Sequence, residues 1–256
     1  MRIRLGTAYG GVLAALLALG AVDAEDAPIS ADQKAREVAR WQETVDAMTK
    51  RIAVDAKVSD AYSRRGDARF FLGQFAGAVQ DYEEMVRLDP ELDASHWRLG
   101  IAYYYAGKAE SAAAQFGKYH AFDQVDRENG IWRYLSQYKA HGKDAARKEL
   151  LKYDKDDREP FPAVYKLFAG EITPRQILDG IAAAKLDDAE REKRLFYAEL
   201  YIGLNAAAEG DPEEARRHLR AAVANTWGPR AGYGPAWMWQ VGRLQWEQLE
   251  REANAK

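Results

Sequence analysis

Apolar positions recur along most of this chain with the period of a helix. Val38, Trp41, Val45, Met48 and Ile52 follow one another at spacings of three, four, three and four, which puts them on one helix face. Ser30 lies ahead of them with Gln33 three residues on, the make-up of a capping box, so a helix is expected from Ala31 to Ile52. Gly73, Pro90, Gly107, Gly142, Pro160, Gly170, Gly210 and Pro229 punctuate the rest. Between them the apolar positions keep helical spacing, and no stretch alternates convincingly over a strand's length. Two short helices are expected at Pro162 to Ala169 and from Thr173-Pro174 to about Lys185. The last, Ala236 to about Arg251, carries Trp237, Trp239, Val241, Leu244 and Trp246. The pattern predicts an all-α chain of helix hairpins.

The hairpins repeat. Shifting the chain by 34 residues aligns Arg64 with Arg98, Gly66 with Gly100, Ala68 with Ala102 and Phe70 with Tyr104. The match continues through Phe71 and Tyr105, Gly73 and Gly107, Ala78 and Ala112, Tyr82 and Phe116, and Asp89 and Asp123. Gly66, Gly100, Ala78 and Ala112 are small where two helices cross, and Gly73 and Gly107 suit a helix end with positive φ. Tyr82 and Phe116 are expected to fill the space between one repeat and the next. A later copy keeps the spacing with Gly203, Gly210, Ala215 and Leu219, and a degenerate one holds Trp132, Leu135, Tyr138, Gly142 and Ala145 to Leu151. The run Asp154 to Glu159 reads as a solvated, charged linker. A 34-residue period in these residue types resembles the tetratricopeptide repeat, TPR.

Composition adds a compartment. Arg2 and Arg4 precede an uncharged run from Leu5 to Val22, with its apolar heart at Val12 to Leu19 and a cleavage site expected after Ala24. That order is a secretory signal, and membrane attachment is expected only if it stays uncleaved. The 256 residues hold 37 basic and 40 acidic side chains and no cysteine. Disulfides, thiolate nucleophiles and cysteine metal sites are excluded, and the net charge of −3 disfavours nucleic acid as a partner. The chain divides into a signal peptide (1–24), an N-terminal helical segment (25–58), repeats at 59–92 and 93–126, and a degenerate repeat at 127–160. A short-helix insertion (161–195), a further repeat (196–229) and a C-terminal capping helix (230–256) complete it.

This order of parts resembles the NlpI family of bacterial envelope lipoproteins. The resemblance rests on His96 to Ala112 (HWRLGIAYYYAGKAESA), Ile131 to Ala140 (IWRYLSQYKA), Phe168 to Leu178 (FAGEITPRQIL) and Ala198 to Asn225 (AELYIGLNAAAEGDPEEARRHLRAAVAN). It implies a homodimeric periplasmic adaptor that binds a carboxy-terminal processing protease and murein endopeptidases. The family carries its lipid on a cysteine that this chain lacks, so a soluble periplasmic or secreted protein is expected, without a lipid anchor.

No constellation for catalysis stands out. His96, His120, His141 and His218 are isolated in sequence and none has a metal-ligand spacing. Glu83-Glu84, Asp187-Asp188 and Glu213-Glu214 read as solvated faces, and Trp227 to Pro235 as an aromatic-rich connector. No enzyme activity and no cofactor are expected. Helical phase sets the expected partner-binding groove at Ser63, Asp67, Phe70, Trp97, Arg98, Ile101, Tyr104, Trp132, Arg133 and Ser136. Only Arg98 and Arg133 there resemble a carboxylate clamp, so aromatic reading of a peptide is favoured. Val38, Trp41, Val45, Met48 and Ile52 either dock on the chain's own groove or form a dimer helix. Two functions follow: an adaptor that brings a protease or wall hydrolase to its substrate, or a structural assembly factor for an envelope or secretion complex with no link to proteolysis.

Overall fold

Glycine–aromatic pairs decide how the repeats close. The computed structural model describes residues 27–255; the signal peptide expected at 1–24 lies outside them. A Cβ on Gly66 would stand 2.6 Å from Tyr82 Cε1, one on Gly100 2.6 Å from Phe116 Cζ, and one on Gly203 2.6 Å from Leu219 Cγ. In each hairpin the second helix rests a large side chain on the bare backbone of the first. The rings also reach onward, as expected: Tyr82 lies 5.1 Å from the His96 ring and Phe116 stacks on Trp132 at 6.3 Å. Gly73 and Gly107 end their helices at φ 75° and 78°, where any other residue is strained.

These pairs build the hairpins α2 (Ser59–Phe71) with α3 (Phe75–Leu88) and α4 (Trp97–Tyr105) with α5 (Ala109–Phe122). Before them runs α1 (Ala31–Val54). The degenerate repeat is α6 (Arg127–His141) and the single turn-and-a-half of α7 (Lys143–Lys148). Then come α8 (Phe161–Ala169), α9 (Pro174–Ala183), the long α10 (Asp188–Glu209), α11 (Pro212–Ala224) and α12 (Tyr233–Asn254). No strand occurs among the described residues. The fold is an all-α solenoid of TPR-type hairpins.

Local chemistry explains the boundaries. Ser30 caps α1, accepting from the Gln33 amide at 3.2 Å, and the reciprocal box sits instead at Thr173 and Gln176. Asp187 accepts from the Glu190 amide at 2.8 Å and starts α10 at Asp188, so the expected break near residue 196 falls inside one continuous helix.

Three expectations change in the folded chain. The face of α1, expected either to dock on the chain's own groove or to form a dimer helix, is turned inward on its own chain. Met48 is buried, Val45 is half-buried, Ile52 packs on the core and Trp41 lies 4.8 Å from the Phe71 ring, leaving Val38 exposed. The charged linker is not simply solvated. Asp157 accepts from the Arg127 amide at 2.9 Å with a side chain 4% exposed, and Arg158 reaches inward to Asp126 and Glu128.

The third concerns α12, which does more than cap the stack. It pairs with α11 and also lies across α2. Trp239 Nε1 donates to the Val223 carbonyl near the end of α11 at 2.9 Å. Arg243, 4% exposed, donates to the Phe71 carbonyl at the end of α2 at 2.6 Å. Carbonyls in the last turn of a helix have no partner inside it, so α12 satisfies one at each of two distant helix ends. The first and last described helices meet as well, with Lys34 Nζ 3.2 Å from Glu247 and Gln240 donating to Glu37 at 3.1 Å.

Candidate protein-binding cleft

Asp67 marks where the expected groove is filled. Its carboxylate accepts from Tyr82 OH at 2.6 Å, Arg98 at 2.8 Å, Tyr233 OH at 2.6 Å and Trp237 Nε1 at 3.0 Å. The last two donors come from α12. Trp237 also stacks on Phe70 at 4.5 Å and meets Trp97 edge-on at 5.0 Å, while Tyr105 donates to Gln245. The chain's own helix thus occupies the inner face of the first repeat.

The expected groove residues therefore separate. Ser63, Asp67, Phe70 and Arg98 belong to this internal seat; Arg98 donates to Ser63 at 3.0 Å and its guanidinium is spent on Asp67. Tyr104 packs edge-on against Trp132 at 5.6 Å, and burial pushes its hydroxyl up to about 12. Arg133 leaves for the Glu149 carbonyl at 2.6 Å, and Ser136 is fully buried, donating to the Trp132 carbonyl. The expectation of one open stripe is corrected for these seven. An intramolecular helix and neighbouring turns already hold them.

Trp97, Ile101 and Trp132 face a cleft that stays open. It holds about 290 Å³ and is completed by Tyr119, Asp126, Glu128, Asn129, Arg158, Tyr197, Gly234, Pro235 and Met238. Five helices and the loop before α8 contribute, so no single repeat contains it. Asp126 caps α6 by accepting from the Glu128 amide at 3.0 Å, and its other oxygen takes the Asn129 amide at 2.6 Å. Glu128 lies one helical turn before Trp132 on the same face. Trp132 Nε1 donates to Tyr201 OH at 3.1 Å, and Tyr201 donates to Glu128 Oε1 at 2.5 Å. Arg158 bridges the other Glu128 oxygen and Asp126, the latter at 3.3 Å.

The charge here is unbalanced. Asp126, Glu128 and Asp157 surround Arg158, whose guanidinium also lies 4.3 Å from the Phe161 ring. Burial pushes the Glu128 carboxyl up to about 7 despite Arg158, and burial likewise raises Asp126. Sequence reasoning missed this half of the cleft. Asp126 and Glu128 stand ahead of Trp132 in helical phase, but Arg158 and Tyr197 come from residues whose approach no local pattern records.

The histidines are structural in their contacts. His96 is buried and caps α4, its Nδ1 accepting from the Leu99 amide at 3.2 Å. Burial lowers its pKa to about 4. His218 is buried between Glu199 at 2.5 Å and Glu214 at 2.8 Å, so Glu214 is not a free solvated carboxylate. Among the described residues no acidic and histidine side chains are grouped to hold a metal ion, and no helix is long and apolar enough to cross a membrane.

Residues 66–107 match the family model of the TPR repeat. The matched stretch runs from the helix-crossing glycine of the first repeat to the helix-ending glycine of the second. Together with the fold this shows that the chain carries TPR-type repeats. Repeats of this class bind other proteins.

Proposed function

We propose that this protein is a non-catalytic adaptor of the bacterial cell envelope that holds a segment of a partner protein in the cleft of Trp97, Ile101 and Trp132. One observation carries the reading. Helix α12 fills the inner face of the first repeat, while the cleft beside the second and third repeats keeps aromatic walls and accessible polar groups. A rigid apolar surface with a few placed polar groups suits peptide recognition.

The secretory pattern of residues 1–24 supports a periplasmic site of action, and the NlpI-like order of repeats supports a carboxy-terminal processing protease or a murein endopeptidase as partner. In this reading the protein is a homodimer without a lipid anchor and brings such an enzyme to its substrate. Affinity capture from envelope extract tests it. Recovery of a protease or peptidoglycan hydrolase, whose turnover the purified protein raises, is the expected result. Capture of neither overturns the reading, and co-migration with a large stable assembly indicates a structural assembly role instead.

A further inference from the structure

The cleft that receives the partner segment also carries a chemical preference. Its walls are the half-buried Trp97 of α4 and Tyr119 of α5 and the buried Trp132 of α6 and Met238 of α12. Its floor holds two carboxylates, Asp126 and Glu128, against one cation, Arg158, which also pairs with the buried Asp157 outside the lining. The neighbouring Arg127 does not restore the balance, because its guanidinium lies over the Tyr153 ring at 5.2 Å, away from the cleft lining. Asp126 and Glu128 side chains are 21% and 14% exposed, so both remain reachable. Phe122, 63% exposed, meets the Tyr119 ring edge-on at 5.7 Å.

A volume of about 290 Å³ accepts one side chain with a little flanking backbone, not a helix. An acidic guest would meet the two carboxylates of the lining, and an apolar guest would gain nothing from them. A cation gains from both the carboxylates and the aromatic faces. We infer that the cleft selects a lysine or arginine side chain of an extended partner segment, with Asp126 and Glu128 taking the charge and Trp97 and Trp132 flanking the aliphatic stem. This rests on the reading of the cleft as a protein-binding site. Burial holds the Glu128 carboxyl high, and an arriving cation would draw it down, so binding would release a proton near neutral pH.

The test is selection of random nonapeptides displayed on phage by the full chain. The comparison variants are Asp126→Asn, which keeps the helix cap, and Glu128→Gln, which keeps the Tyr201 contact; circular dichroism and thermal melts confirm that they fold. The expected result is enrichment of lysine or arginine at one position, lost in the variants. A selected peptide with that residue replaced by norleucine should bind about tenfold more weakly to the wild-type protein. If both variants melt early, the norleucine comparison on the wild-type chain still decides. Enrichment of apolar or acidic residues without a cation overturns the preference but leaves the binding cleft standing. No peptide selected at all overturns both, and cell-wall glycan fragments binding equally to wild type and variants would do the same.

Discussion

Gly66 and Gly100 show how one missing methyl group sets a repeat. Alanine at either position brings Cβ to 2.6 Å from an aromatic ring, so the hairpin must open. Each substitution is expected to destabilise by about 1–3 kcal/mol in chemical denaturation. Gly107→Ala, where nothing lies within 4 Å, should cost only the left-handed strain, about 1 kcal/mol. This contact was legible in the sequence, because glycine and ring stand at a fixed spacing inside one hairpin. His96 was not, since its burial comes from the Tyr82 ring of the preceding repeat. Its neutral Nδ1 must accept from Leu99, and burial holds its pKa near 4 against an ordinary 6.5. An unfolded chain therefore binds a proton that the folded one refuses. Stability from this group is full above pH 6.5 and is lost as pH falls toward 4, by on the order of 3 kcal/mol. In His96→Asn, which keeps a capping acceptor, that part of the pH slope in melting curves should vanish.

Helix α12 was legible as an element and illegible in its destination. Its tryptophan stripe serves a terminal cap and a groove filler equally well, and the contacts that decide lie more than 160 residues away in sequence, at Asp67 and Phe71. Asn129-Gly130 shows a tertiary contact overriding a local preference. The dipeptide that commonly turns a hairpin sits inside α6, where a Cβ on Gly130 would meet Tyr153 OH at 2.5 Å. Asp67 is the residue on which the α12 seat turns. Asp67→Ala removes a carboxylate shared by four donors and leaves Arg98 buried and unpaired, a loss of about 3–5 kcal/mol. Limited proteolysis should then cut residues 228–236 faster than in the wild-type protein. An unchanged cleavage rate would mean that α12 is held without Asp67.

At the scale of the molecule, α12 joins the two ends of a solenoid that would otherwise stay open, and it decides which concave surface remains available. The repeat count and hairpin order could be read from a 34-residue period, because each repeat contacts its neighbours. The cleft could not, because Trp97, Glu128, Arg158, Tyr197 and Met238 belong to elements that only the closed solenoid brings together. The central claim is that partners bind at this cleft and not along the whole inner face. Hydrogen–deuterium exchange on the protein alone and bound to the enzyme captured from envelope extract tests it most directly. Partner-dependent protection is expected at residues 97–101, 126–132 and 233–238, and protection confined to the outer helix α3 would contradict it.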